Sequence, residues 1–109
     1  MRVDISYKYV EKSEFIENVL QKNMNKIERR IKIFRRDDPI HISVHIEKNP
    51  HREQYFCRSH IYLPSKLIKA EEKANTLPFV INKTFSALSK QLDKLKHRVE
   101  GYLRKKNNL

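Results

Sequence analysis

Five histidines, one cysteine and a set of carboxylates are the residues of this 109-residue chain that could move protons, hold a metal or attack a substrate. His41 and His45 stand four apart, a spacing that brings two ligands to one side of a helix. The residues around them alternate as a strand instead, where positions four apart lie ~13 Å from each other, so no metal site is expected. A general-base pair drawn from His41, His45 or His60 with Glu47 or Glu53 is conceivable across paired strands and would make the chain a small nuclease. The plainer reading is a set of surface histidines. Cys57 lies mid-strand without a nucleophile context and reads as a small hydrophobe. Being single, it makes no internal disulfide and no thiolate zinc cage, and it fits a reducing compartment. Gly101 is the one glycine, which excludes a Walker A loop and a dinucleotide fingerprint. No catalytic residue, cofactor or small-molecule substrate is therefore expected.

The cations are the stronger signal. Lys and Arg number 24 against 13 Asp and Glu, a net charge of +11. Residues 22–36 hold seven basic residues against Glu28 alone, and residues 76–109 hold eight against Asp93 and Glu100, so each segment carries +6. The remainder is close to neutral. A surface built only for solubility would intersperse the signs, so a polyanion is the natural partner.

The elements that must position these cations follow from hydrophobic periodicity. Val3, Ile5 and Tyr7 alternate as a half-buried strand. Ser13 caps a helix with Glu14 and Glu17 in its first turn, and Ile16, Val19, Leu20, Met24, Ile27, Ile31 and Phe34 follow at helical spacing. Arg35-Arg36-Asp37-Asp38-Pro39 breaks that helix. Ile40, Ile42, Val44 and Ile46 then alternate strictly with polar residues as a second strand, which Asn49-Pro50 ends. A third strand over about 53–63 faces Cys57, Ser59, Ile61 and Leu63 inward or the reverse. After Pro64-Ser65, a fourth strand over about 66–73 leads to a helix capped by Asn75 or Thr76, with Pro78 in its first turn. Its apolar stripe is Ile81, Phe85, Leu88, Leu92, Leu95 and Val99, and Gly101 is expected to end it. The order β-α-β-β-β-α implies an α+β fold, a four-stranded mixed sheet with two helices packed on one face. Residues 1–101 form the single RNA-binding domain in this reading, and 102–109 a short basic tail. The longest apolar stretches, such as Leu77–Ile81, fall far short of the ~20 residues a membrane span needs, and a cytoplasmic location is expected.

On a helical wheel, Lys22, Lys26 and Arg29 gather on one flank of the first helix, with Arg30 beside them in the same basic segment. Lys83, Lys90, Lys94 and His97 form a rail opposite the apolar stripe of the second. Neither stripe interleaves the carboxylates that solubilising faces carry, which favours nucleic acid. Few Asn or Gln side chains are placed to read bases, so binding through backbone and shape is expected, with RNA preferred over base-specific duplex DNA. Tyr7, Tyr9, Phe56 and Tyr62 are candidates for stacking.

Two local patterns carry a family resemblance. Met1-Arg2-Val3-Asp4-Ile5-Ser6, Val10-Glu11-Lys12-Ser13-Glu14 and Lys26-Ile27-Glu28 follow one family's strand, cap and first helix. Residues 87–96, Ala-Leu-Ser-Lys-Gln-Leu-Asp-Lys-Leu-Lys, look like its second-helix signature. The chain resembles the short ribosome hibernation-promoting factors, also called ribosome-associated inhibitors or ribosomal subunit interface proteins. Asn82 and Ala87 depart from the Asp and Lys common there, and the glycines common before the second helix are missing. The resemblance implies a non-enzymatic factor that binds 16S rRNA of the small ribosomal subunit between head and body, occupies space needed by tRNA and mRNA, and inhibits translation. Lys26, Lys90, Lys94 and Lys96 match cationic positions of the family, and Lys22, Arg29, Arg30, Lys83, His97 and Arg98 complete the expected rRNA-binding set. The extra dimer-forming domain of long members is expected to be absent, and the free protein to be a monomer. The alternative is a general double-stranded-RNA-binding module.

Overall fold

The computed structural model describes residues 2–32, 40–64 and 66–107, with side chains through Arg98. Its elements are β1 (Arg2–Lys8), α1 (Glu14–Ile31), β2 (His41–Lys48), β3 (Tyr55–Tyr62), β4 (Leu67–Ala74) and α2 (Leu77–Asn107). The strands lie across the sheet in chain order, β1 parallel to β2 and the β2–β3–β4 pairs antiparallel. This is the expected α+β architecture. A parallel pair cannot be joined by a hairpin, and α1 supplies the crossover.

Local chemistry sets the start of α1. The Ser13 hydroxyl oxygen accepts the Ile16 N–H at 3.2 Å, while Glu14 and Glu17 occupy the first turn and Arg29 and Arg30 the last. Each charge thus opposes the helix-dipole end it sits on. Ile16, Leu20, Met24, Ile27 and Ile31 are buried and Val19 is partly so. Phe34 and the expected break at 35–39 lie outside the described residues.

β2 buries Ile42, Val44 and Ile46, as its alternation requires. In β3 the burial settles the open choice of face: Cys57, Ser59 and Ile61 point into the core, and Phe56, Arg58, His60 and Tyr62 point out. Ser59 tolerates full burial because its hydroxyl donates to the Ser43 carbonyl at 2.8 Å. β1 departs from expectation. Val3 and Ile5 remain 38% exposed, because β1 is an edge strand and the helix layer leaves a groove between it and α1, lined by Val3, Ile5, Tyr7, Leu20 and Met24.

α2 buries Ile81, Phe85, Leu88 and Leu92, and adds Val80 and Thr84 to the core. Leu95 is partly buried, and the Val99 side chain lies outside the described set. The helix does not stop at Gly101 but runs to Asn107. A glycine within a helix costs about 1 kcal/mol, which weakens the helix without ending it. The projecting end lengthens the molecule: its radius of gyration is 15.8 Å, against ~13 Å for a compact chain of this length. No described helix is long and apolar enough to cross a membrane.

Candidate nucleic-acid interface

Topology makes the two helices parallel, since β1, β2 and β4 share one direction and each helix returns against the strand before it. Two ties fix the seam between them. The Asn23 amide donates to the Val19 carbonyl and to Asn82 Oδ1, both at 2.9 Å. One stretch further along both helices, Arg30 Nε meets Asp93 Oδ1 at 3.2 Å. Asn23 is buried and its amide would cost stability without partners, so this tie also helps set the helix register.

The seam orients the cations. Stepping about 100° per residue, Lys26, Lys22 and Arg29 lie about 40–100° beyond Arg30, away from the core. His97, Lys90, Lys83 and Lys94 lie about 40–100° beyond Asp93, on the matching side of α2. The two rails therefore border the same outer seam. Lys22, Lys26, Arg29, Lys90 and Lys94 are exposed, and none of the five forms a salt bridge among the described residues. His97 is also exposed.

The remaining expected residues are placed differently. Arg30 is half-buried, bound to Asp93, and donates from Nη1 to the Lys26 carbonyl at 3.3 Å, so it ties the helices together rather than standing free on the rail. Lys83 reaches β4, where its Nζ lies 3.5 Å from Glu72 Oε2. Lys96 and Arg98 are exposed but leave α2 roughly 120° and 80° away from Lys90. Sequence reasoning missed two aromatics. Phe15 and Phe79 are 63% and 58% exposed, near the N-terminal ends of α1 and α2, and the wheel puts each in its helix's rail sector. An aromatic at rail rather than core phase was the signal available.

The residues with proton-transfer potential lie on the opposite face of the sheet. His41 Nε2 is 2.5 Å from Asp4 Oδ2, and His45 sits between the Ser6 hydroxyl at 2.8 Å and Glu47 Oε1 at 3.2 Å. His60 is 3.4 Å from the Ser43 hydroxyl. Among the described residues no three His, Cys, Asp or Glu side chains converge as a metal site would require. Cys57 is fully buried, and that burial pushes its thiol up to about 11, with the Thr84 hydroxyl acting weakly the other way. At neutral pH it is a protonated core residue.

A mixed four-stranded sheet carrying two parallel helices with cationic outer rails defines a small α+β module suited to polyanions. The chain belongs to the Sigma 54 modulation protein / S30EA ribosomal protein family, whose model matches residues 3–100. The resemblance to hibernation-promoting factors is thereby borne out. The fold is similar to the Protein Y N-terminal domain from Thermus thermophilus, with a TM-score of 0.69 and 17% identity over 87% of this chain and 99% of that one. It is also similar to a ribosomal subunit interface protein from Coxiella burnetii, with a TM-score of 0.64 and 17% identity over 89% and 99%. No curated protein sequence matches the chain.

Proposed function

We propose that this protein is a non-enzymatic ribosome-binding factor that lays its two basic helices on 16S rRNA of the small subunit, occupies the tRNA and mRNA channel, and inhibits translation. The observation that carries the reading is the pair of parallel rails, Lys22, Lys26 and Arg29 beside Lys90 and Lys94, exposed and without salt bridges among the described residues. Family membership supports the ribosome as the source of the phosphates. Rails of this kind grip a sugar-phosphate backbone and leave base identity unread, which suits a folded RNA target. His97, Lys96 and Arg98 extend the cationic surface along α2. Lys83 and Arg30 contribute less, since a carboxylate already accompanies each. Phe15 and Phe79 add stacking surface near the entry of the seam. In this reading the protein is cytoplasmic and monomeric when free.

Reversing Lys90 and Lys94 to Glu tests the proposal. Both point away from the buried Leu88 and Leu92, so the fold should persist while ribosome co-sedimentation and inhibition of translation in vitro are lost. Reversing Arg52 and Lys66, exposed near the strand turns, is the control and should change little. Equal damage from both pairs would leave nonspecific charge as the cause. Capture of free duplex RNA but never of ribosomal particles would favour a general double-stranded-RNA binder.

A further inference from the structure

The sheet face away from the helices is open, and β3 runs across it with Phe56, Arg58, His60 and Tyr62 outward. Tyr62 is 44% exposed, and its ring is held in place by His41, stacked on it at 5.2 Å between centroids with the planes 16° apart. The Arg58 guanidinium lies 6.0 Å from the centre of the Phe56 ring. Across the ladder, Lys69 stands opposite His60 and Lys73 opposite Phe56. A shallow depression of about 440 Å³ includes Arg58, His60 and Lys69 in its lining.

The charges on this face are sorted. Asp4 is engaged by Arg2 and His41, and Glu47 by His45. Glu71 stands opposite Arg58 in register, yet Arg58, Lys69 and Lys73 form no salt bridge among the described residues. The result is a strip with an aromatic ring near each end, ~20 Å apart along β3, where the three cations Arg58, Lys69 and Lys73 outnumber the one carboxylate, Glu71, that no cation engages among the described residues.

We infer that this face is a second nucleic-acid surface, which takes single-stranded RNA. Bases stack on Tyr62 and Phe56, and Arg58, Lys69 and Lys73 hold the intervening phosphates. A duplex hides its base faces inside its own stack, whereas an unpaired strand presents one per nucleotide to a sheet face carrying the exposed Tyr62 ring and the half-buried Phe56 ring. A protein partner fits less well, because the strip between the rings is charged rather than apolar. The inference goes beyond the proposed function and stands apart from the helix rails, on the other side of the molecule. Together the two faces would let one small domain join a folded RNA to an unpaired strand.

The test is fluorescence anisotropy with a labelled ten-nucleotide oligouridine and a labelled RNA hairpin at low salt. Tyr62→Ala should weaken decamer binding about 5- to 160-fold, the range for loss of one stacked base, and Tyr62→Phe should retain it. Lys69→Glu with Lys73→Glu should weaken it further without touching the aromatic ring. Lys90→Gln with Lys94→Gln should leave decamer binding within about twofold while weakening ribosome association, which separates this surface from the rails. Thermal melting checks that each variant folds. The inference is overturned if the parent does not bind the decamer. It is also overturned if folded Tyr62→Ala and Lys69→Glu/Lys73→Glu variants bind like the parent, or if the rail variant alone abolishes binding. A photo-crosslinker placed at position 62 that reaches only ribosomal protein would overturn it as well.

Discussion

Salt dependence gives the helix rails a number. Five rail cations, Lys22, Lys26, Arg29, Lys90 and Lys94, have no salt bridge among the described residues and can replace counterions on rRNA phosphates. At about 0.7–0.9 counterions released per contact, log K should fall with log salt with a slope of about −3.5 to −4.5. Raising KCl fourfold, from ~50 to ~200 mM, should then weaken binding by about 10²- to 10³-fold. Neutralising Lys90 and Lys94 to Gln removes two contacts and should flatten the slope to about −2 to −3. Arg30→Gln should flatten it less than loss of a rail cation does, because Arg30 already faces Asp93. Small-subunit binding measured by sedimentation or filter retention across the salt series reads all three slopes. A slope near zero, or one unchanged by the Lys90/Lys94 pair, would mean that the rails do not hold the phosphates.

Removing the Phe85 ring, which is 2% exposed against the sheet, should cost about 3–5 kcal/mol and show as an earlier denaturant midpoint. Asn23→Ala removes the tie to Asn82, which is exposed and can turn to water, and should lower stability by about 0.5–1.5 kcal/mol in the same assay. The Cys57 thiol should resist alkylation by iodoacetamide at pH 8 in the native protein and react on denaturation. Its folded pKa, about 11, lies above the free value of 9.0, so the native state keeps the proton longer than the unfolded chain. Stability should fall as pH rises from about 9 to about 11, and urea titrations of Cys57→Ala should show a shallower fall. Purified protein should leave RNA intact on a gel, and a His45-dependent loss of full-length RNA would restore the nuclease reading.

What was legible in the sequence depended on how one-sided each element is. β2 reads cleanly because Ile42, Val44 and Ile46 meet the helices while His41, Ser43 and His45 meet solvent. β3 did not, because it carries Phe56 and Tyr62 on its outer face as well as Ile61 and Cys57 inside, so period two alone could not orient it. β1 shows the opposite failure: its alternation is clear, but burial depends on a neighbour, and at the sheet edge Val3 and Ile5 lack full cover. The wheel puts Lys22, Lys26, Arg29, Lys90 and Lys94 on outward helix faces, and they are exposed in the structure, because helical phase is local. It could not foresee that Arg30 meets Asp93 or that Lys83 meets Glu72, since those pairings arise only when α1, α2 and β4 pack. Gly101 looks like a stop locally, but its modest cost is outweighed in a helix already nucleated over many turns.

If the helix seam is the ribosome-facing surface, electron cryo-microscopy of the protein on the small subunit should show density between head and body, with Lys22, Lys26, Arg29, Lys90 and Lys94 against 16S rRNA phosphates. Density elsewhere on the ribosome, or in that channel with the five cations turned away from RNA, would contradict it.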